Sequence, residues 1–158
     1  MNKILLTILA ALLIGACSSA PKYRTIPADT SPRPSDRDMI VEIAKSYVGT
    51  PYRSGGTTRQ GVDCSGLIVA VYRDFDILLP RASFRQARVG KRIERSDLEP
   101  GDLIFFKTKR GASITHVGIY IGRNQFIHTS TRKRRVTVDR LNDTYFRRRF
   151  ITARRIVE

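Results

Sequence analysis

Cys64 sits in Val62-Asp63-Cys64-Ser65-Gly66, where a glycine-rich stretch gives way to a helical pattern, and the only two histidines, His116 and His128, lie downstream. A thiol at a helix start with two imidazoles to follow is a residue set for nucleophilic catalysis. Attack of a cysteine on an amide carbonyl needs a thiolate, a proton donor for the leaving amine, and a group that holds the donor in one tautomer. A helix N-terminus favours the anion through its partial positive charge and unpaired N–H groups. His116, as an imidazolium paired with the thiolate, is the expected general base and acid. His128 is the expected orienting group, although an aspartate or asparagine in that role is more familiar and an anion stabilises the imidazolium better. For the developing oxyanion, the Cys64 backbone N–H is a natural donor. Tyr52, at the head of the glycine-rich stretch, either brings a phenol O–H to the same place or is a core residue.

The other cysteine sets the compartment. Lys3 supplies a positive n-region, Ile4 to Ile14 an apolar run broken only by Thr7, and Gly15-Ala16 the small residues before Cys17. The run is too short to span a bilayer, which takes about 20 apolar residues. A cysteine directly after the small pair resembles the lipobox of bacterial lipoproteins, which implies cleavage after residue 16 and acylation of Cys17. By the rule for that signal, Ser18 in place of aspartate favours the outer membrane, with the domain on its periplasmic face. Residues 17–34, rich in Ser, Thr, Pro and basic side chains, read as a flexible tether, and residues 35–158 as one globular domain. With Cys17 acylated, Cys64 has no disulfide partner in a compartment that favours disulfides. Its neighbours Asp63, Ser65 and Gly66 are not what packs an inert core cysteine, so it is kept for reactivity.

The expected class is α+β, with N-terminal helices packed on an antiparallel sheet. Ser35 followed by Asp38 approximates a capping box, and Met39, Ile40, Ile43, Ala44, Tyr47 and Val48 recur at helical spacing until Gly49 and Pro51. Tyr52 to Val62, with Gly55, Gly56 and Gly61, reads as a close-approach loop without regular structure. Leu67, Ile68, Val71, Tyr72 and Phe75 predict a second helix from about Cys64 to Phe75, and Ser83 to Arg88 a short third. After Glu99-Pro100-Gly101-Asp102 the texture turns to β-rich runs at 103–107, 115–121, 125–129, 136–138 and 150–156. Helices first and strands afterwards argue against alternating βαβ units. A hairpin closed by a three- or five-residue loop around Gly122-Arg123-Asn124 sets Tyr120 opposite Asn124 and His116 directly opposite His128. A one-residue slip would put the two rings on opposite faces.

Gly49-Thr50-Pro51-Tyr52, Gly55-Gly56, Gly61-Val62-Asp63-Cys64-Ser65-Gly66, Pro100-Gly101-Asp102-Leu103, His116-Val117-Gly118-Ile119-Tyr120 and Asn124-Gln125-Phe126-Ile127-His128 together resemble the NlpC-type cell-wall peptidases, over roughly residues 35–158. The resemblance implies a compact papain-like fold and a cysteine peptidase acting on the stem peptides or cross-links of peptidoglycan. It assigns Cys64 as nucleophile, His116 as general base and acid, and His128 as third member. It also puts Tyr52 beside the nucleophile, and Asp63 and Ser65 at the substrate's amine end.

The formal net charge of +15 concentrates in Arg132-Lys133-Arg134-Arg135 and Arg147-Arg148-Arg149. In a cytosolic protein such runs would suggest nucleic acid, but export argues against it. Anionic envelope head groups or the carboxylates of wall peptides are better partners, against the plainer reading of a solvated basic face. The flanking Asp63 and Ser65 suit Cys64 to nucleophilic attack better than to zinc, so neither metal nor cofactor is expected, and the domain is expected to act as a monomer. Two rival functions use the same residues: a non-catalytic envelope lipoprotein that binds wall peptides in this groove, and an acyltransferase of related fold.

Overall fold

The computed structural model describes residues 34–110 and 113–158, with side chains from 36 onward. The expected signal peptide at 1–16, the acylation site Cys17 and the tether up to residue 33 lie outside the described residues, as does the side chain of Ser35. Among the described residues four α-helices and eight strands follow in chain order, with one short 3-10 turn at Arg95–Asp97: α1 (Pro34–Ser46), β1 (Thr57–Thr58), β2 (Gly61–Val62), α2 (Cys64–Arg73), α3 (Ser83–Gln86), β3 (Lys91–Ile93), β4 (Leu103–Phe106), β5 (His116–Gly122), β6 (Gln125–Ser130), β7 (Arg135–Arg140), α4 (Thr144–Arg147) and β8 (Phe150–Arg155). Six strands form one antiparallel sheet in the order β3-β8-β4-β5-β6-β7. This is the expected α+β arrangement of helices on an antiparallel sheet.

Helix α1 begins at Pro34 rather than after a cap at Ser35, which suits the fixed φ of proline in a first helical turn. The loop between Tyr52 and Val62 is not wholly irregular, because β1 and β2 pair within it, Thr57 with Val62. Strand β3 and helix α4 have no clear apolar periodicity and escape a pattern reading; both are short, and their positions come from neighbours they pack on.

Strand β4 explains how the sheet is buried on both sides. Its four residues are fully enclosed, and alternation sends Leu103 and Phe105 to a core shared with Ile40, Leu67, Ile68, Val71 and Tyr72 of α1 and α2. Ile104 and Phe106 face a second cluster with Phe126, Leu141, Phe146 and Ala153. At the end of the first core, the fully buried Asp102 carboxylate accepts from Arg37 of α1 at 3.1 Å, from Arg155 of β8 at 2.9 Å, and from the Glu99 backbone N–H at 2.8 Å. A buried carboxylate satisfied by two guanidinium groups ties the first helix to the last strand. Tyr72 adds a hydroxyl bond to the Gly101 carbonyl at 2.9 Å.

The β5–β6 hairpin corrects the expected register. Arg123 and Asn124 both have positive φ, at 50° and 62°, so the connection is a two-residue turn of the primed kind between Gly122 and Gln125. With the irregularity that follows, Tyr120 pairs with Phe126 and Ile119 with Ile127. Continuing that register sets Gly118, not His116, across from His128. The displacement is two residues, so the two histidines stay on one face as diagonal neighbours.

Candidate active site

Helix α2 owes its start to Asp63, whose extended backbone and side chain form an N-cap: its carboxylate accepts from the Gly66 N–H at 2.7 Å. The same carboxylate accepts from the Gly55 N–H at 2.8 Å and from the Arg81 guanidinium on both oxygens. Arg81 also donates to the buried Ser65 hydroxyl at 2.9 Å. A Cβ on Gly66 would lie 1.9 Å from the Gly56 carbonyl oxygen, so the loop touches the first turn of the helix only because that side chain is absent. Gln86 of α3 donates to the Ser65 carbonyl at 3.0 Å from the other side. The turn that carries Cys64 is therefore clamped by the loop, α3 and Arg81.

Cys64 is a free, partly buried cysteine at this turn. The backbone N–H groups of Val117, Ser65 and Cys64 itself act on the sulfur and favour its anion. Val117 is the next residue after His116, and the Thr129 hydroxyl of β6 donates to the Asp63 carbonyl at 3.3 Å. The start of α2 thus abuts β5 and β6 where they carry the histidines. Among the described residues the sulfur makes no hydrogen bond with His116. Burial pushes the thiol up from its ordinary value, and the Asp63 carboxylate adds to this, while the three N–H groups pull the other way. The helix terminus alone does not produce the expected thiolate, because desolvation outweighs it. Enclosure likewise pushes His116 down to about 3, reinforced by His128 and opposed by Asp139. Burial thus disfavours both the thiolate and the imidazolium.

His116 Nε2 and His128 Nδ1 are 2.8 Å apart, with ring planes nearly perpendicular at 85°. The diagonal contact works because Gly118 lies between: a Cβ there would come within 2.7 Å of the Phe126 ring and 3.2 Å of the His128 Cβ. His128 stacks on Phe126 at 4.9 Å and meets Phe146 edge-on, which fixes its plane. Its far nitrogen, Nε2, lies 2.9 Å from Asp139 Oδ2, and Lys133 donates to Asp139 Oδ1 at 2.6 Å. Bonds from His128 and Lys133 hold the Asp139 carboxyl down at about 2 in spite of the burial that opposes them.

Tyr52 lies on the segment that runs alongside β2. It bridges Val62 of β2, its N–H donates to the Arg134 carbonyl at 2.8 Å, and the Arg134 guanidinium sits 5.3 Å from its ring centroid. The structure therefore gathers Tyr52, Asp63, Cys64, Ser65, His116 and His128 into one region. Asp139 and Arg81 join them, and neither stands out in the sequence. Asp139 could have been found from the pairing of β6 with β7, since it is the one acid in Arg135–Arg140 and falls diagonal to His128. Arg81 carries no pattern at all. One residue of the basic run, Lys133, belongs to this network as the partner of Asp139. A surface cavity of about 510 Å³ lies elsewhere, between α3 and β8, and none of these residues lines it.

The sequence model of the NlpC/P60 family matches residues 49–155. The chain is 45% identical over 160 residues to the probable endopeptidase NlpC of Escherichia coli strain K12, covering 96% of this chain and 97% of that one. It is 34% identical over 171 residues to the murein DD-endopeptidase MepS/murein LD-carboxypeptidase of the same strain, covering 95% and 89%. A crystal structure of an NlpC/P60 family protein from Bacillus cereus superposes with a TM-score of 0.73 at 34% identity, over 81% of this chain; the chain spans only 41% of that longer protein. With a family match running from the Gly49 turn through β8, and with near full-length similarity to NlpC, the protein belongs to the NlpC/P60 family.

Proposed function

We propose that this NlpC/P60 peptidase is a peptidoglycan hydrolase: a cysteine endopeptidase that cuts amide bonds in murein stem peptides or their cross-links through a Cys64 thioester. The observation that carries the reading is the 2.8 Å bond between His116 Nε2 and His128 Nδ1 beside the capped start of α2. With Nε2 engaged by His128, Nδ1 is the His116 nitrogen left for proton transfer. The thiol gives its proton to Nδ1 as the sulfur attacks the carbonyl carbon. The oxyanion is met by the Cys64 N–H, with the Tyr52 phenol as second donor. Collapse of the tetrahedral adduct returns the proton from Nδ1 to the departing amine and leaves the thioester. Water, deprotonated by the same nitrogen, then releases the acid and restores the thiol.

Asp63 and Ser65 flank the amine end of the substrate, with Arg81 holding both in place. The lipobox-like Ile14-Gly15-Ala16-Cys17 and the tether that follows support anchoring through acylated Cys17 at the periplasmic face of the outer membrane. The murein-directed activity in the names of the MepS relatives supports the substrate class. The test is incubation of purified muropeptides with the wild type and Cys64→Ala, with products identified by mass spectrometry. New termini that appear only with the wild type are expected. Equal profiles would leave a wall-peptide binder, and products carrying an added amine without hydrolysis would indicate acyl transfer.

A further inference from the structure

We infer that Asp139 is a positioning residue of this enzyme: across His128 it sets the tautomer of His116, leaving Nδ1 of His116 free as the base. The argument follows the hydrogens. A carboxylate only accepts, so the 2.9 Å contact between Asp139 Oδ2 and His128 Nε2 puts the proton of a neutral His128 on Nε2. His128 Nδ1 is then an acceptor, and the 2.8 Å contact with His116 requires the proton of neutral His116 to lie on its own Nε2. Without the carboxylate, the opposite chain of tautomers satisfies the His116–His128 contact equally well, and it blocks Nδ1 of His116 with a proton. The negative charge at the end of the chain also favours the imidazolium formed during attack, as a carboxylate behind a catalytic histidine does elsewhere.

Geometry supports a built relay rather than a chance surface contact. Both links are diagonal contacts on one face of adjacent strands, since Phe126 pairs with Asp139 and His128 with Thr137. Phe126, Phe146 and the cross-strand gap at Gly118 leave His128 one orientation. Lys133, donating at 2.6 Å to Asp139 Oδ1, leaves Oδ2 for His128. The charged groups at the imidazole pair are Asp139 of β7 and, through it, Lys133 of the preceding turn.

The kinetic arm rests on the hydrolase reading; a spectroscopic arm does not. Because the chain has only two histidines, isotope-labelled histidine in the full chain gives two rings to assign by nitrogen NMR. Both are expected as Nε2–H tautomers in the wild type, and as mixtures in Asp139→Asn and Asp139→Ala. On muropeptides, these two variants are expected to lose about 100-fold in kcat with KM changed less than about twofold, because Asp139 orients the base without touching substrate. The acid limb of the pH profile moves to lower pH, since removing the Asp139 anion disfavours the protonated form of His116. Asp139→Glu restores part of the rate. An Nδ1–H tautomer for His116 in the wild type overturns the inference. So do folded Asn and Ala variants with wild-type kcat and an unmoved acid limb. Nε2–H rings that shift in the variants while the wild type cuts no muropeptide would uphold the relay and remove the hydrolase reading.

Discussion

His116 and His128 meet across a glycine rather than across a rung of the ladder: their nitrogens are 2.8 Å apart although Gly118 holds the position opposite His128. The two rings are not equivalent. His116 borders Val117, whose N–H favours the Cys64 anion, and His128 lies one ring further away. Loss of the first should therefore cost more. His116→Ala is expected to lower kcat/KM by at least about 1000-fold and His128→Ala by about 10- to 1000-fold. Steady-state rates on a defined muropeptide check the order; equal losses, or a larger one at His128, would contradict it.

Gly118 itself is a sharp test of that contact. In Gly118→Ala the new methyl group meets the Phe126 ring, the Ile127 carbonyl and the His128 Cβ, all within 3.2 Å. The strands must part or His128 must swing away. Activity is expected to fall by more than about 10-fold even in molecules that remain folded, and the melting temperature to drop. A variant with wild-type rate would mean that the diagonal contact is dispensable.

The thiol's environment predicts its chemical reactivity. Burial and Asp63 hold Cys64 protonated in the free enzyme, so alkylation by iodoacetamide is expected to accelerate with a midpoint above 9, the ordinary value for the group. In Asp63→Asn the cap is retained, one cause of the upward shift is removed, and Arg81 is released from its ion pair. The alkylation midpoint should move to lower pH. A midpoint in the mildly acid range for the wild type would show a preformed thiolate–imidazolium pair instead.

Acid should destabilise the fold through the same site. The folded-state value of His116 is depressed from 6.5 to about 3, so between these limits the unfolded chain binds a proton that the folded chain excludes. Stability is fully present above about 6.5 and declines as pH falls towards about 3. Asp139, held near 2 against an ordinary 3.8, extends the decline below that range. Denaturant titrations across the acid range should show the midpoint falling, and His116→Phe should flatten the upper part of that slope.

Asp102 is expected to matter for folding and not for chemistry. Removing its carboxylate leaves Arg37 and Arg155, whose side chains are 14% and 12% exposed, without their buried anion. Asp102→Ala should cost about 3–5 kcal/mol, measured by urea unfolding, with the specific activity of the folded fraction preserved. Wild-type stability would remove this pair from the account of how α1 is held to β8.

The residue sequence on its own determined the elements that carry the site and which face they turn inward. Leu67, Ile68, Val71 and Tyr72 form one stripe that starts a helix near Cys64, and β-rich residue types mark the two runs that carry His116 and His128. All of these depend on neighbours a few residues apart, and such signals are local. Tertiary structure decided the rest. The two-residue turn at Arg123-Asn124 made the histidine contact diagonal. Pairing of β6 with β7 brought Asp139 behind His128, and the packing of α3 brought Arg81 to Asp63. Desolvation set the protonation of Cys64 and His116 against what the helix end alone would favour. Each of these is a sum over atoms remote in the chain, so no window of sequence contains it.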